Sequence, residues 1–227
     1  MAGPYVKDIY LPSGIATLTW AELFALNAAS YNPGQIFHVT DVGVGGSYWY
    51  SNGVRWRAVN GALWLVNLAS DVAHDGTTSQ LKLAEVTIPA GLIQQGDMLE
   101  QHISIDATAG GSTASVYTRL GTAGTTADNA VGGTNGTSPI ISQPAGSNVW
   151  AGMNKRLKRT SATTLRPLDV IGAGGLGGTG TAVLVSNTVP DLDANATKLG
   201  LYYVEGTGGV RIATLRQWSV ELITAGA

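Results

Sequence analysis

The segment LDVIGAGGLGGTG, residues 168–180, contains Gly172, Gly174 and Gly177 at the spacing of a dinucleotide-binding fingerprint. Such glycines hold a pyrophosphate only where a helix begins directly after them, because the helix N-terminus attracts the anion. Here the following residues, TAVLVSNTVP, are rich in β-branched side chains and reach Pro190 before a helix of ordinary length is complete. The sequence therefore predicts a glycine-rich loop between two antiparallel strands, with no nucleotide or other cofactor bound.

Acidic side chains suggest two other kinds of site. Asp97, Glu100 and Asp106 lie close together in sequence, and glycoside hydrolysis requires two facing carboxylates. Chain spacing alone does not show whether these three face one another, so a cell-surface polysaccharide hydrolase stands as the enzyme alternative. The segment DLDANAT at 191–197 begins like a calcium loop, but it lacks the glycine and the glutamate that such a loop needs. A turn is predicted there.

Metal-binding and thiol chemistry find little support in the composition. The chain has no cysteine, and its three histidines, His38, His74 and His102, lie far apart in sequence. Zinc sites draw on cysteine and histidine at short, regular spacings. We therefore predict no metal site, and we expect each histidine to lie at the surface or in a strand.

Lys155, Arg156, Lys158 and Arg159 form the densest group of charges in the chain. They are candidate contacts for phosphate groups, as in lipopolysaccharide or nucleic acid, or for an acidic patch on a neighbouring protein. The alternative, which we favour, is a solvated loop between strands. Because the chain has a formal net charge of −2, no specific nucleic-acid partner is predicted.

Four aromatic residues, Tyr48, Trp49, Tyr50 and Trp56, lie around the dipeptide Asn52-Gly53. Asn-Gly between aromatic and β-branched runs is the strongest short-range signal for a β-hairpin. In isolation the aromatic set resembles a sugar-stacking platform. On a hairpin of alternating pattern, the core of a small module is the favoured interpretation, because one side of each strand must be buried.

The elements that would position these residues are mostly strands. The 227-residue chain contains 31 glycines and only 12% charged residues, against about 25% charged in an average protein. One segment, TLTWAELFALNAAS, predicts a helix, in which Thr19 caps the first turn and Glu22 completes a capping box. With the hairpin, this makes residues 1–61 a small α+β module.

Residues 62–227 show short apolar runs separated by turn residues, the pattern of an antiparallel β-sandwich or barrel. The interval between 121 and 146 is longer than most loops in compact domains, and such loops tend to be functional or disordered. Its polar residues Thr125, Asn129 and Asn135 are candidate contacts. The predicted fold class is therefore mainly β, with a small N-terminal α+β module followed by the sandwich.

Several segments support a resemblance. NPGQIFHVTD followed by SYWYSNGVRWRAVNG resembles a small module of tailed-bacteriophage appendage proteins. HDGTTSQLKLAEVTIPAGLIQQGDML and LRQWSVELI resemble the jelly-roll domains of phage tail and head fibres. The resemblance implies a jelly-roll-like sandwich and a homotrimeric virion structural protein, with residues 1–61 contacting other virion proteins.

The expected function is binding without catalysis. The leading hypothesis is a tail fibre or appendage that meets a host surface glycan or lipopolysaccharide, and the alternative is a head-fibre or decoration protein on the capsid or collar. The N-terminal MAGPYVKDIYLPSG lacks the features of a signal peptide. Apolar runs are also far shorter than the roughly 18 residues of a membrane span. We therefore expect a virion protein made in the host cytoplasm, with no membrane insertion.

Overall fold

A computed structural model describes residues 15–68, 72–73, 79–108, 113–131, 140–143, 149–174, 186–205 and 213–225. Within these ranges the chain contains one α-helix, α1 (Trp20–Ala25), and one 3₁₀ turn, Ala28–Ser30. The strands in chain order are β1 (Ala16–Leu18), β2 (Ile36–Val39), β3 (Ser47–Ser51), β4 (Trp56–Ala58), β5 (Ala62–Leu68), β6 (Val72–Ala73), β7 (Leu81–Ile88), β8 (Met98–Ala107), β9 (Ala114–Gly121), β10 (Asn129–Ala130), β11 (Ile141–Gln143), β12 (Val149–Ser161), β13 (Thr164–Gly174), β14 (Asn187–Thr188), β15 (Thr197–Glu205) and β16 (Ala213–Ile223). No helix in the described part of the chain is long and apolar enough to cross a membrane.

The first four strands form an N-terminal sheet in the order β1-β2-β3-β4, with β1 parallel to β2 and the other pairs antiparallel. Helix α1 begins after Thr19, whose hydroxyl accepts from the Glu22 backbone N–H at 3.3 Å. The Glu22 carboxylate in turn accepts from the Thr19 N–H at 2.7 Å, and this hydrogen bond lowers the Glu22 pKa. The predicted capping box is therefore confirmed.

The predicted hairpin at Asn52-Gly53 is also confirmed, with a four-residue loop between β3 and β4. The Asn52 side-chain oxygen accepts from the backbone N–H groups of Val54 and Arg55, at 3.0 and 2.9 Å. Gly53 has φ +87°, a conformation that glycine adopts without steric cost. The turn is therefore fixed by the residues that predicted it.

The remaining strands form an antiparallel β-sandwich. The larger sandwich sheet has the order β14-β13-β12-β8-β16-β5, and the smaller has the order β10-β9-β15-β7. From β7 to β16 the chain crosses repeatedly between the smaller and the larger sheet, as it does in jelly-roll-like sandwiches. The predicted fold class is confirmed. One expected strand, TAVLV at 181–185, lies outside the described residues.

Alternation along the strands places the core between the two sandwich sheets. Leu99, Ile103 and Ile105 of β8 are buried, as are Leu199 and Leu201 of β15. The same hydrophobic cluster continues into the N-terminal sheet and its helix, where it includes Trp20, Phe37, Trp49 and Trp56. The division into two units at residue 61 stays a prediction.

The glycine-rich segment, which was expected to be a loop, begins within strand β13. Gly172 and Gly174 lie in β13, opposite Met153 and Ala151 of the antiparallel neighbour β12. The expected loop is therefore wrong for these two glycines, because the pairing with β12 continues through both. Gly177 lies outside the described residues.

Candidate functional site

The N-terminal sheet is joined to the sandwich through the connection between β7 and β8, residues 89–97. Arg57 of β4 donates to the Asp97 carboxylate at 2.7 Å, and both side chains are buried. Asp97 also accepts from the backbone N–H groups of Gln94 (2.8 Å) and Ala225 (2.9 Å). One carboxylate thus connects the N-terminal sheet, the 89–97 connection and the segment that follows β16.

Further hydrogen bonds cross this junction. The Trp20 indole N–H donates to the Ala90 carbonyl at 2.8 Å. The Gln94 side-chain amide donates to the Trp56 carbonyl at 3.1 Å, and the Thr224 backbone N–H donates to the Gly61 carbonyl at 2.8 Å. These hydrogen bonds hold the N-terminal sheet against the sandwich, and the two clefts described next lie beside this junction.

The first cleft, here the aromatic cleft, lies between β3 and the start of β5 and has a volume of about 450 Å³. Its lining residues carry only apolar, aromatic, hydroxyl and amide groups. They are Val44, Gly46, Ser47, Tyr48, Ala58, Val59, Asn60, Ala62, Leu63, Trp64 and Asn67. No ionisable aspartate, glutamate, histidine, lysine or arginine is among them.

Two half-exposed rings dominate the aromatic cleft. Tyr48 is 51% exposed and Trp64 is 42% exposed. A histidine packs against each ring: His38 lies 4.9 Å from Tyr48 and His102 lies 6.0 Å from Trp64, measured between ring centroids. These contacts restrict the rings while leaving about half of each side chain open to solvent.

The wall of the aromatic cleft depends on a close approach between the β2–β3 loop and β5. The Val44 N–H donates to the Trp64 carbonyl at 3.0 Å. Gly43 has φ +86°, and a Cβ atom there would lie 2.4 Å from Leu63 Cδ1. Glycine is therefore required for the loop to reach β5 and close this side of the cleft.

The second cleft, here the charged cleft, lies beside α1 and has a volume of about 540 Å³. Phe24, Arg55, Arg159 and Asp193 are among its lining residues. The Arg159 guanidinium binds both Asp193 carboxylate oxygens, at 2.8 and 2.5 Å, and also donates to the backbone carbonyls of Ile93 and Ser161. The buried cation is therefore neutralised within the protein.

The predicted basic cluster does not form one surface. Lys155, Arg156, Lys158 and Arg159 lie on the long strand β12, where side chains alternate between the two faces. Lys155 and Arg159 are buried, whereas Arg156 and Lys158 lie on the outer face. The expectation of a solvated loop is wrong, and so is that of Lys155 and Arg159 as surface contacts.

Lys155 connects the two sandwich sheets from inside the core. Its ammonium donates to Thr118 Oγ1 of β9 at 2.5 Å and to the Val131 carbonyl. Complete burial lowers the Lys155 pKa to about 7. The residue therefore has a structural role that its charge alone did not suggest.

On the outer face, Arg156 donates to the Glu100 carboxylate at 3.0 Å. Lys158 is exposed and lies opposite the exposed Arg166 of β13. Sequence reasoning missed Arg166, because only the β12–β13 register shows that the two cations are neighbours. Arg156 and Lys158 stay candidate contacts.

The long interval 121–146 is partly strand, since it contains β10 and β11. The Thr125 N–H donates to the Asp128 carboxylate at 2.9 Å, and the Asn129 amide donates to the Thr188 carbonyl at 2.8 Å. Both residues are exposed and stay candidate contacts. Asn135 lies outside the described residues.

The three carboxylates considered for glycoside cleavage are separated. Asp97 is buried at the junction, while Glu100 and Asp106 occupy the outer face of β8. Six residues along a strand place the last two about 20 Å apart, whereas a catalytic pair lies within about 10 Å. Asp106 instead accepts from Arg216 at 2.6 Å. Glu100 and Asp106 are therefore too far apart to act as a glycosidase pair, and Asp97 is buried against Arg57.

The turn expected at 191–197 is confirmed, because the Asp191 carboxylate accepts from the backbone N–H groups of Asp193 (2.9 Å) and Ala194 (3.3 Å). His38 and His102 lie in strands, as expected, and His74 lies outside the described residues. Within the described ranges, no three histidine, aspartate or glutamate side chains come together as metal ligands.

No family model and no curated protein matches this chain. Among solved structures, it is similar to a peanut lectin bound to a nine-residue peptide, with a TM-score of 0.35 and 14% sequence identity. That similarity covers 72% of this chain and 99% of the lectin chain.

The chemistry of the two clefts differs. In the charged cleft Arg55 donates to the Gln95 carbonyl and Arg159 binds Asp193. The aromatic cleft instead offers ring faces together with the exposed amides of Asn60 and Asn67. Small-molecule sites commonly combine aromatic walls with a few polar groups that fix orientation. The aromatic cleft is therefore the stronger candidate for ligand binding. Of the aromatic residues on the predicted hairpin, Trp49 and Trp56 lie in the core, whereas Tyr48 lines this cleft.

Proposed function

We propose that this chain is a structural protein of a tailed-phage virion. It forms a homotrimeric fibre or appendage that binds a host surface glycan or lipopolysaccharide, or a neighbouring virion protein, and it catalyses no reaction. The observation that carries the proposal is the architecture: a small sheet with one helix docked on a jelly-roll sandwich. This is the pair of units that the resemblance to phage appendage proteins implies.

The arrangement of charged groups favours binding over catalysis. Asp97, Glu100 and Asp106 each accept from an arginine on a neighbouring element. Each of these carboxylates is therefore engaged within the protein, whereas a general acid or base must lie within hydrogen-bond reach of a substrate atom. The aromatic cleft has no acid or base among its lining residues. Binding to a surface requires neither an acidic nor a basic catalytic group.

Low surface charge supports the trimer. Only 12% of the residues are charged, and neutral strand faces are the kind of surface that a homo-oligomer buries. In this proposal residues 1–61 contact the virion, and loops of the sandwich face outward or touch a neighbouring subunit. Loops on a rigid scaffold are where recognition usually resides.

The test uses purified protein and purified particles of the phage that encodes it. Antibodies raised against the chain should label virions at regular positions in electron micrographs, and the labelled position distinguishes a tail appendage from a capsid or collar protein. Light scattering of the purified chain should report the mass of three copies. Unlabelled particles would contradict the virion role, and a stable monomer at micromolar concentration would contradict the trimer.

A further inference from the structure

The aromatic cleft has a composition that selects a particular ligand class. Its two half-exposed rings, Tyr48 and Trp64, stand beside the exposed amides of Asn60 and Asn67. We propose that this cleft binds a neutral pyranose saccharide. This inference rests on the proposed adhesive function and names the ligand class that the function would use.

Each part of a pyranose has a counterpart in the cleft. The C–H face of a sugar ring is apolar and carries slight positive charge, so it packs on the electron-rich face of an aromatic ring. The hydroxyl groups at the ring edge both donate and accept, and side-chain amides offer both functions in return. Tyr48 and Trp64 provide the ring faces, and Asn60 and Asn67 provide the amides.

The rings are restrained before any ligand arrives. His38 packs on Tyr48 and His102 packs on Trp64, and the loop hydrogen bond from Val44 to the Trp64 carbonyl fixes the adjacent backbone. A restrained ring loses little conformational entropy on binding, which favours affinity for a small ligand.

The absence of charge from the lining argues for a neutral sugar. A phosphate or carboxylate that entered the aromatic cleft would lose hydration without gaining a cation, because none of the described residues that line it is a lysine, arginine or histidine. Lys158 and Arg166, which could attract an anion, lie on the β12–β13 hairpin. The ligand is therefore uncharged where it contacts the cleft.

The size of the cleft also favours a small ligand over a protein partner. About 450 Å³ lies in the range of roughly 300–1,000 Å³ that is typical of small-molecule sites. A stable interface between subunits normally buries well over about 1,000 Å² of surface, which a cleft of this size does not supply alone.

The experiment titrates the intact chain with neutral glucose, galactose, mannose and N-acetylglucosamine oligosaccharides, using calorimetry and tryptophan fluorescence. We expect saturable binding of at least one series. Trp64→Ala or Tyr48→Ala should weaken it by about tenfold or more, since each removes one stacking face. Tyr48→Phe keeps the ring and should bind within about twofold of the native chain.

Phe24→Ala is the matched control, because Phe24 is also 42% exposed but lines the charged cleft. It should leave binding unchanged. Asn67→Ala removes only an exposed amide, so it tests the cleft without disturbing the fold, and we expect binding to weaken several-fold. Thermal unfolding of each variant shows whether the fold is retained.

Three results would overturn the inference: no saturable binding of any neutral series, equal binding by the native chain and Trp64→Ala, or loss of the trimer in a folded Trp64→Ala variant. The last would identify the cleft as a subunit contact. Labelled virions with no saccharide binding would reject the cleft assignment alone. Saccharide binding with unlabelled virions would reject the virion role alone.

Discussion

The Arg57 guanidinium lies 2.7 Å from the Asp97 carboxylate, and both side chains are almost completely buried where the N-terminal sheet meets the sandwich. Asp97 also accepts two backbone N–H groups, whereas Nε and one terminal nitrogen of Arg57 have no hydrogen-bond partner among the described residues. The carboxylate is therefore well satisfied and the guanidinium depends on it. A buried cation in this position is stabilised almost entirely by its single partner.

Replacing Asp97 with Asn should strongly destabilise the protein. The change leaves the buried Arg57 charge uncompensated, a loss of about 3–5 kcal/mol in the free energy of unfolding. Asp106→Asn is the control, because the ion pair of Asp106 with Arg216 is half-exposed and such pairs contribute about 1 kcal/mol or less. Urea unfolding measures both, and equal losses would contradict the structural role assigned to the junction.

The buried Lys155 should make stability depend on pH. Its pKa is lowered to about 7 in the folded chain, while lysine in an unfolded chain titrates near pH 10.4, roughly. Between these values the unfolded state binds more protons, so the free energy of unfolding rises with pH. We expect the native chain to gain stability from about pH 7 to about pH 9.5, and Lys155→Met to lose most of that gain.

The upper limit of this pH range avoids a second effect. Burial, together with the nearby Asp128 and Glu85 carboxylates, raises the Tyr202 pKa. An unfolded tyrosine therefore loses its proton first, and stability falls above about pH 10. The control for the Lys155 prediction is Lys198→Met, which removes a partly exposed lysine instead of the buried one. A pH dependence that is the same in Lys155→Met and in the native chain would show that Lys155 is not its source.

The sequence predicted those features whose causes are local. The capping box of Thr19 and Glu22 and the Asn52-Gly53 turn are each determined by side chains within four residues of one another. Alternation of apolar residues likewise predicted most sandwich strands. Such signals do not depend on which distant segment packs nearby.

The features that sequence reasoning missed depend on distant partners. Lys155 and Arg159 are buried only because Thr118, Val131 and Asp193 supply acceptors from other parts of the chain. The charged run in β12 therefore did not indicate an inward-facing strand. The aromatic cleft was missed for the same reason, since its two rings come from opposite sides of the expected boundary at residue 61.

Repulsion between Lys158 and Arg166 should lower the free energy of unfolding slightly. They are directly opposite on β12 and β13 and both are exposed, and like charges in that position destabilise a sheet. Lys158→Glu should raise the free energy of unfolding by about 0.2–1 kcal/mol, and salt should reduce the gain. Lys198→Glu is the opposite case, because it replaces the partner of Glu85 and should destabilise. A stabilised Lys198→Glu variant would contradict this electrostatic account.

The final prediction concerns the interval after β9, which carries the candidate contacts Thr125 and Asn129. Deleting residues 124–138 should unfold the protein or reduce its expression, because it removes the buried Val131 and with it the carbonyl that accepts from Lys155. Deleting residues 132–138 instead keeps both the buried Val131 side chain and its carbonyl contact with Lys155.

If the interval meets the host surface, the shorter deletion should leave the unfolding midpoint and particle incorporation near the native values while reducing attachment of virions to cells. Circular dichroism, immunoblots of purified particles and an adsorption assay measure the three quantities. Attachment that is unchanged in folded, incorporated protein would show that residues 132–138 do not contact the host. Lost incorporation with retained folding would instead place this interval against the virion, and so reverse the orientation proposed for the two ends of the chain.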